Sequence, residues 1–401
     1  MGKPRGHHRA LPQGPARRAA GHRKREPPRQ DAVSGTPPTP TTLPLGAYIL
    51  SGRVPDARTG IAQAQAGEAL GLSNLWISEK FGTKDLGALA GALAACTTRP
   101  GIAAGVVPFQ TRHPLQLASL AATLQSLTAG RFLLGLGRGG SWLSGLGVPP
   151  TATARVVVDT VTMLRRLWNG EEVTYHGPAG DFPRLQLREL PTTPPPRVVL
   201  AGIGEQSLRL AGEHFDGVLL PAFTTPQAVA RTAARVRRTA TTCGRNPNAV
   251  RIYATVLTAA DPTPEARDVI AGRAATYLQA PVGGERLVRI NGWDLDALRR
   301  LRGHPHIARL GDTYADAVLD PLDLAEAAGL IPATWLDEST ATGSPHACAA
   351  RLQDYLDAGA DELVLHGTTP DRLAPVIHAF SALCPPSRPQ PAAADTQDRL
   401  R

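Results

Sequence analysis

An α/β chain folded as a single (β/α)8 TIM barrel, with insertions after strand four and between strands seven and eight, is predicted by three features of the sequence. Eight short apolar segments of strand length alternate with amphipathic segments of helix length from residue 45 onward, the pattern of parallel β/α architecture. Each helix returns the chain to the same end, and eight such units close into a barrel more readily than they spread into an open doubly wound sheet. Five of the eight strands run into glycine at their C-terminal ends, the side on which such barrels hold ligands.

The first strand spans residues 45–50, and the helix at 58–70 stops at Gly71. Residues 74–78 form the second strand, running into Glu79, Lys80 and Phe81, with its helix at 86–97. The third, 101–107, is closed by Pro108, and its helix covers 115–128. The fourth, from Phe132 to Leu136, breaks into Gly135, Gly137, Gly139 and Gly140. Glycine at a strand end lets another molecule approach the backbone; room for packing in a crowded core explains these glycines equally well. The helix at 155–168 places Val157, Val161, Leu164 and Trp168 at helical spacing. An excursion at 171–190 reads as a hairpin. Strand five (197–201), a helix at 206–214, strand six (217–220), a helix at 228–241 and strand seven (252–258) follow. Strand eight is 362–365, and a helix at 371–383 closes the chain. Residues 260–343 are too many for one helix and predict an inserted lid or substrate region.

The formal charge of +9 is concentrated: residues 1–44 hold nine Lys and Arg against Glu26 and Asp31, so +7 lies in this tail and +2 in the remainder. A Pro- and Arg-rich tail without an apolar face predicts disorder, and residues 384–401 read as a second disordered tail around a barrel domain at 45–383. The nearly neutral body predicts no nucleic acid at the barrel. Arg17-Arg18 resembles a twin-arginine signal, but no apolar segment follows it, so the expected location is the cytoplasm. Cys96, Cys243, Cys348 and Cys384 have no paired spacing, which predicts neither a metal site nor a disulfide framework. No apolar run approaches the roughly 18 residues needed to cross a bilayer.

Five stretches then resemble a family: Leu-Trp-Ile-Ser-Glu-Lys-Phe (75–81), Gly-Val-Val-Pro followed by Arg-His-Pro (105–114), Gly-Arg-Phe-Leu-Leu-Gly-Leu-Gly-Arg-Gly (130–139), Leu-Ala-Gly-Glu-His-Phe-Asp-Gly-Val-Leu-Leu (210–220) and Ala-Gly-Ala-Asp-Glu-Leu-Val-Leu-His-Gly (358–367). In this order they resemble the luciferase-like monooxygenase superfamily, and within it actinobacterial oxidoreductases that use the deazaflavin coenzyme F-420. The resemblance covers residues 45–380 and implies a barrel that takes a flavin-type ring at its mouth, a small-molecule substrate and a homodimer. It implies a non-prolyl cis peptide behind the ring at Gly105-Val106, ring or tail contacts from Gly137, Arg138 and Gly139, and a phosphate site at Gly202, Ile203, Gly204, Gln206 and Ser207. Free N–H groups at a helix start attract an anion on physical grounds alone, provided Glu205 points away; a plain turn between strand and helix explains the same residues.

The departures from the family narrow the chemistry. The F-420-dependent sugar-phosphate dehydrogenases carry a catalytic His directly after an acidic residue at the end of strand two, where this chain has Lys80 after Glu79, and a Glu after the strand-four glycines, where it has Gly140. Sugar-phosphate oxidation is therefore not expected. Glu79, Arg138 and His366 are the candidate catalytic group, because each follows a barrel strand and such ends share one rim. For His366 a proton-transfer role and a structural hydrogen bond both stand. For Arg138 the alternatives are an anionic cofactor group or a salt bridge to Glu79, and Lys80 is read as pairing with Glu79. Trp335 lines the substrate pocket or anchors the insertion, and Asn291-Gly292-Trp293-Asp294 reads as a turn. Three functions follow: an F-420-dependent oxidoreductase transferring hydride to or from an unidentified small organic molecule, an FMN-dependent monooxygenase, or a non-catalytic flavin-binding barrel.

Overall fold

Alternation along each strand settles which side chains look into the barrel and which meet the helices. The computed structural model describes residues 42–383 apart from 51–53, 150, 151, 191, 312, 314 and 320; residues 1–41 and 384–401 of the two expected tails, and Ser51 and Gly52 after strand one, lie outside the described residues. The strands are β1 (Leu45–Tyr48), β2 (Asn74–Ile77), β3 (Gly101–Pro108), β4 (Phe132–Gly137), the antiparallel pair β5 (Val173–Gly177) and β6 (Gly180–Leu185), β7 (Arg197–Ala201), β8 (Gly217–Leu220), β9 (Arg251–Ala260), β10 (Thr340–Gly343) and β11 (Glu362–His366). Parallel pairing in the order β11-β1-β2-β3-β4-β7-β8-β9, closed by β9 against β11, makes the eight-stranded barrel. The short β10 adds in parallel to the end of β9, outside the ring.

Helices α1 (Thr59–Ala69), α2 (Leu86–Cys96), α3 (Pro114–Leu127), α4 (Ala154–Trp168), α5 (Glu205–His214) and α6 (Pro226–Thr242) follow the first six barrel strands. The expected span 260–343 folds as α7 (Pro264–Gln279), α8 (Pro281–Asn291), α9 (Leu295–Gly303), α10 (Pro305–Ala308), α11 (Ala315–Val318), α12 (Pro321–Ala328) and α13 (Ala333–Ser339), ending in β10; α14 (Pro345–Asp357) and α15 (Ala374–Leu383) complete the outer layer. Starts are set by side-chain caps: Asp85, Thr153, Thr225, Thr263 and Ser344 each accept a backbone N–H of the first turn, and proline occupies the first turn of α6, α7 and α14.

Three apolar clusters result. Leu75, Ile77, Ile102, Leu134, Leu363 and Leu365 face outward into the layer between strands and helices. Tyr48, Trp76, Ala103, Leu133, Val199, Leu219, Tyr253 and Val364 fill the barrel interior. The third cluster holds the inserted helices together and seats them on Ala222, Phe223 and Leu257 at the strand ends. Trp335 belongs to it, 6% exposed and stacked on Trp293 at 4.6 Å, so it serves as an anchor. The 291–294 turn is structural as well: Asn291 accepts from the Thr225 N–H and donates to the Phe223 carbonyl, tying α8 to the loop after β8.

Candidate active site at the barrel mouth

The interior face of β3 carries the first functional feature. The Gly105-Val106 peptide is cis, and between Ala104 and Val107 the pairing with β4 advances three residues against two, a one-residue bulge. Tyr48 and Ser78 hydroxyls both donate to the Gly105 carbonyl, at 3.2 and 3.1 Å. The Val106 side chain fills space that a side chain on β4 would take: a Cβ at Gly137 would lie 2.7 Å from its Cγ2, and one at Gly135 2.9 Å from its Cγ1. The β4 glycines are therefore packing positions, and what they make room for is the bulge at the mouth.

The second feature is the turn from β7 into α5. Gly204 caps α5 with no side-chain bond, which leaves the first backbone N–H groups of the helix open to an anion. Glu205 points away, paired with Arg235 at 2.7 Å. Arg138 reaches the turn, donating to the Gln206 side chain at 2.8 Å and to the Ala152 carbonyl at 2.7 Å. Arg286, on α8, lies against Gly204, where a Cβ would meet its guanidinium at 3.2 to 3.3 Å. Among the described residues neither arginine has a carboxylate partner, and burial together with the Arg286 charge lowers the pKa of Arg138. Two guanidiniums beside an open helix N-terminus suit a phosphate. Arg286 could not be found in the sequence, because nothing there places α8 beside the β7 turn.

His366 is the third. Glu362, Val364 and His366 share one face of β11, so the imidazole enters the barrel as its upper layer; it lies 4.8 Å from the Tyr48 ring. The residue keeps some exposure, but its Nδ1 is sealed without a hydrogen-bond partner. Burial, with the charges of Arg273 and Lys80 adding to it, lowers the pKa to about 3. Near neutral pH this imidazole is uncharged and too weakly basic to collect a proton, which argues against the proton-transfer role. Between about 3 and 6.5 the unfolded chain binds a proton here that the folded chain does not. The stability contributed by the neutral ring is thus present above pH 6.5 and lost as pH falls toward 3. On lowering pH from 7.5 to 5, the urea midpoint of the wild type is expected to fall further than that of His366→Gln, the histidine adding at most about 1.4 kcal/mol per pH unit. Equal falls would mean that the folded protein holds this ring charged.

The expected convergence of Glu79, Arg138 and His366 is not what the side chains do. The Glu79 side chain, 7% exposed, is held by Arg112 through two hydrogen bonds of 3.0 and 3.1 Å, and Arg112 also reaches Asp85. Arg138 bonds neither Glu79 nor His366 and belongs to the β7 turn, which corrects the salt bridge considered for it. The cause is alternation: Leu75 and Ile77 face outward while Trp76 faces in, and Glu79 continues the outward series. Over the ends of β1 and β2 a cavity of about 1060 Å3 is bounded by Ser78 and Lys80 on the barrel side and by Arg273 and Thr276 of α7 opposite.

Comparison with known proteins adds four findings. Residues 29–362 match the family described as luciferase-like monooxygenase. A 5,10-methylenetetrahydromethanopterin reductase of Methanolobus tindarius is 24% identical over 75% of this chain and 87% of its own; an F-420-dependent hydroxymycolic acid dehydrogenase of Mycobacterium tuberculosis is 30% identical over 46% of this chain and 55% of its own. The solved coenzyme F-420-dependent tetrahydromethanopterin reductase of Methanopyrus kandleri superposes with a TM-score of 0.67 at 18% identity, covering 84% of this chain and 98% of that one, a likeness of fold.

Proposed function

This chain belongs to the luciferase-like monooxygenase family, and from that premise we propose that it is an oxidoreductase that passes a hydride between coenzyme F-420 and a small organic substrate. The observation that carries the reading is the cradle at Gly202–Ser207, with Arg138 and Arg286 beside an uncapped helix start. The backbone N–H groups of Gln206 and Ser207 and the two guanidiniums would hold the cofactor phosphate. Gly105 and Val106 of the bulge, with Gly137 and Gly139, would border the ring. When bound, the deazaflavin supplies the hydride chemistry, and the protein supplies position and a dry, polar frame. His366 offers a neutral imidazole to the ring or substrate. Glu79 has a positioning task, keeping Arg112 and the loop after β2 in place.

The test is titration of the purified protein with F-420 and with FMN, followed by absorbance and by tryptophan fluorescence. F-420 binding at least tenfold tighter than FMN is expected. The reverse order would turn the reading to an FMN-dependent monooxygenase, and tight binding without turnover of any substrate to a non-catalytic barrel. The resemblance also carries a homodimer in the cytoplasm into this proposal; a single species of monomer mass in sedimentation would remove the dimer. Among the described residues no helix is long and apolar enough to cross a membrane.

A further inference from the structure

Resting on the reading of the β7 turn as an anion cradle, we propose that α8 is a fixed mount for the Arg286 guanidinium, with Arg302 and Asn291 as the positioning residues that hold its two ends.

Arg286 stands at the middle of α8, between Pro281 and Asn291, with its guanidinium against the Gly204 turn. Its aim therefore depends on how the axis of α8 is set. The helix brings little of its own to set it. Ala280 starts it without a side-chain bond, and Gly283 and Gly284 in its first turns are poor helix formers. Gly284 is needed there because a Cβ would run into the Leu278 carbonyl, so α8 folds back closely on the end of α7.

Both ends are instead tied from outside. At the front, one guanidinium nitrogen of Arg302, on α9, donates to the carbonyls of Leu278, Ala280 and Pro281 at 3.3, 2.7 and 2.9 Å. The last carbonyls of a helix lack partners along the chain and carry partial negative charge, so a cation is favoured at this corner. Arg302 is half-buried and its Nε is sealed without a partner, a cost that these charge-assisted bonds offset. At the rear, Asn291 accepts from the Thr225 N–H at 3.0 Å and donates to the Phe223 carbonyl at 2.8 Å, while Arg231 of α6 donates to the Ile290 carbonyl. Among the described residues neither Arg302 nor Asn291 bonds the Gly204 turn, so what they do there they do through α8. A long side chain loses rotamer freedom when it takes hold of an anion, and a helix already fixed leaves less to be lost.

The experiment is titration of the full chain, without cofactor, with inorganic phosphate followed by phosphorus NMR. Arg286→Ala is expected to weaken binding about tenfold. Arg302→Met, which keeps the stem and removes the guanidinium, should weaken it about fivefold, and Asn291→Ala about threefold, through misplacement alone. In the Arg286→Ala background each should cost less than about twofold more, because the group they position is gone. Arg300→Met also removes a positive charge from α9, at an exposed position, and should change affinity by less than about twofold, which separates placement from net charge. Melting temperatures report folding, and Asn291→Ala carries the test if Arg302→Met misfolds. Equal losses with and without Arg286, or wild-type affinity in folded Arg302→Met and Asn291→Ala, would overturn the inference and leave the cradle standing. Wild-type affinity in Arg286→Ala would remove the cradle and this role together. Phosphate binding that follows the expected pattern alongside a failed F-420 titration would sink only the proposed function.

Discussion

Gly135→Ala is expected to destabilise the protein by about 3 kcal/mol or more, the largest effect of any single methyl group at the mouth. An ideal Cβ at Gly135 would sit 2.0 Å from the Ala104 carbonyl oxygen and 2.9 Å from Val106 Cγ1. Ala104 is fixed by its pairing with Leu134, so backbone would have to move, and overpacking of this kind costs roughly 1 to 3 kcal/mol, occasionally more. Gly145→Ala supplies the control, because a Cβ there meets nothing within 4 Å, and a change within about 0.5 kcal/mol is expected. Urea unfolding followed by circular dichroism reads both. A loss under 1 kcal/mol at Gly135 would show that β3 and β4 are not packed as described.

Gly204→Val is expected to weaken cofactor binding by about 2 to 4 kcal/mol, roughly 30- to 1000-fold, with the melting temperature nearly unchanged. The fold tolerates the change because Gly204 has φ −76° and ψ 155°, extended backbone that valine adopts readily. The anion site does not: the new side chain would occupy the space between the open N–H groups of α5 and the Arg286 guanidinium, 3.2 Å away. Arg286→Ala, which removes one charge and leaves the turn intact, should cost less. Wild-type affinity in a folded Gly204→Val variant would take the turn out of the proposed site.

The barrel was legible because each strand announced itself as a short apolar run bounded by glycine, proline or a polar turn. The convergence at the mouth was not legible for the same reason. A parallel barrel strand is apolar on both faces, so hydropathy does not say that Trp76 faces in while Leu75 and Ile77 face out. Without that parity Glu79 looks as though it shares the interior with His366 merely because it follows a strand. His366 stands on the interior face of β11, two residues on from Val364. Arg112 and Arg286 escaped because their partners are far away in sequence, at Glu79 and at Gly204. The β3 bulge was expected from resemblance alone.

The separate apolar cluster of the inserted helices has an evolutionary consequence. Its members between Ile270 and Trp335 pack chiefly on one another and take Ala222, Phe223 and Leu257 from the rim, with Ile203 and Ala259 packed against them. Substitutions there can reshape the cavity ceiling while the layer beneath the outer helices, on which the barrel depends for its stability, is left untouched. Lineages carrying this fold are thus free to exchange one ceiling for another and acquire new substrates stepwise, each step remaining above the folding threshold.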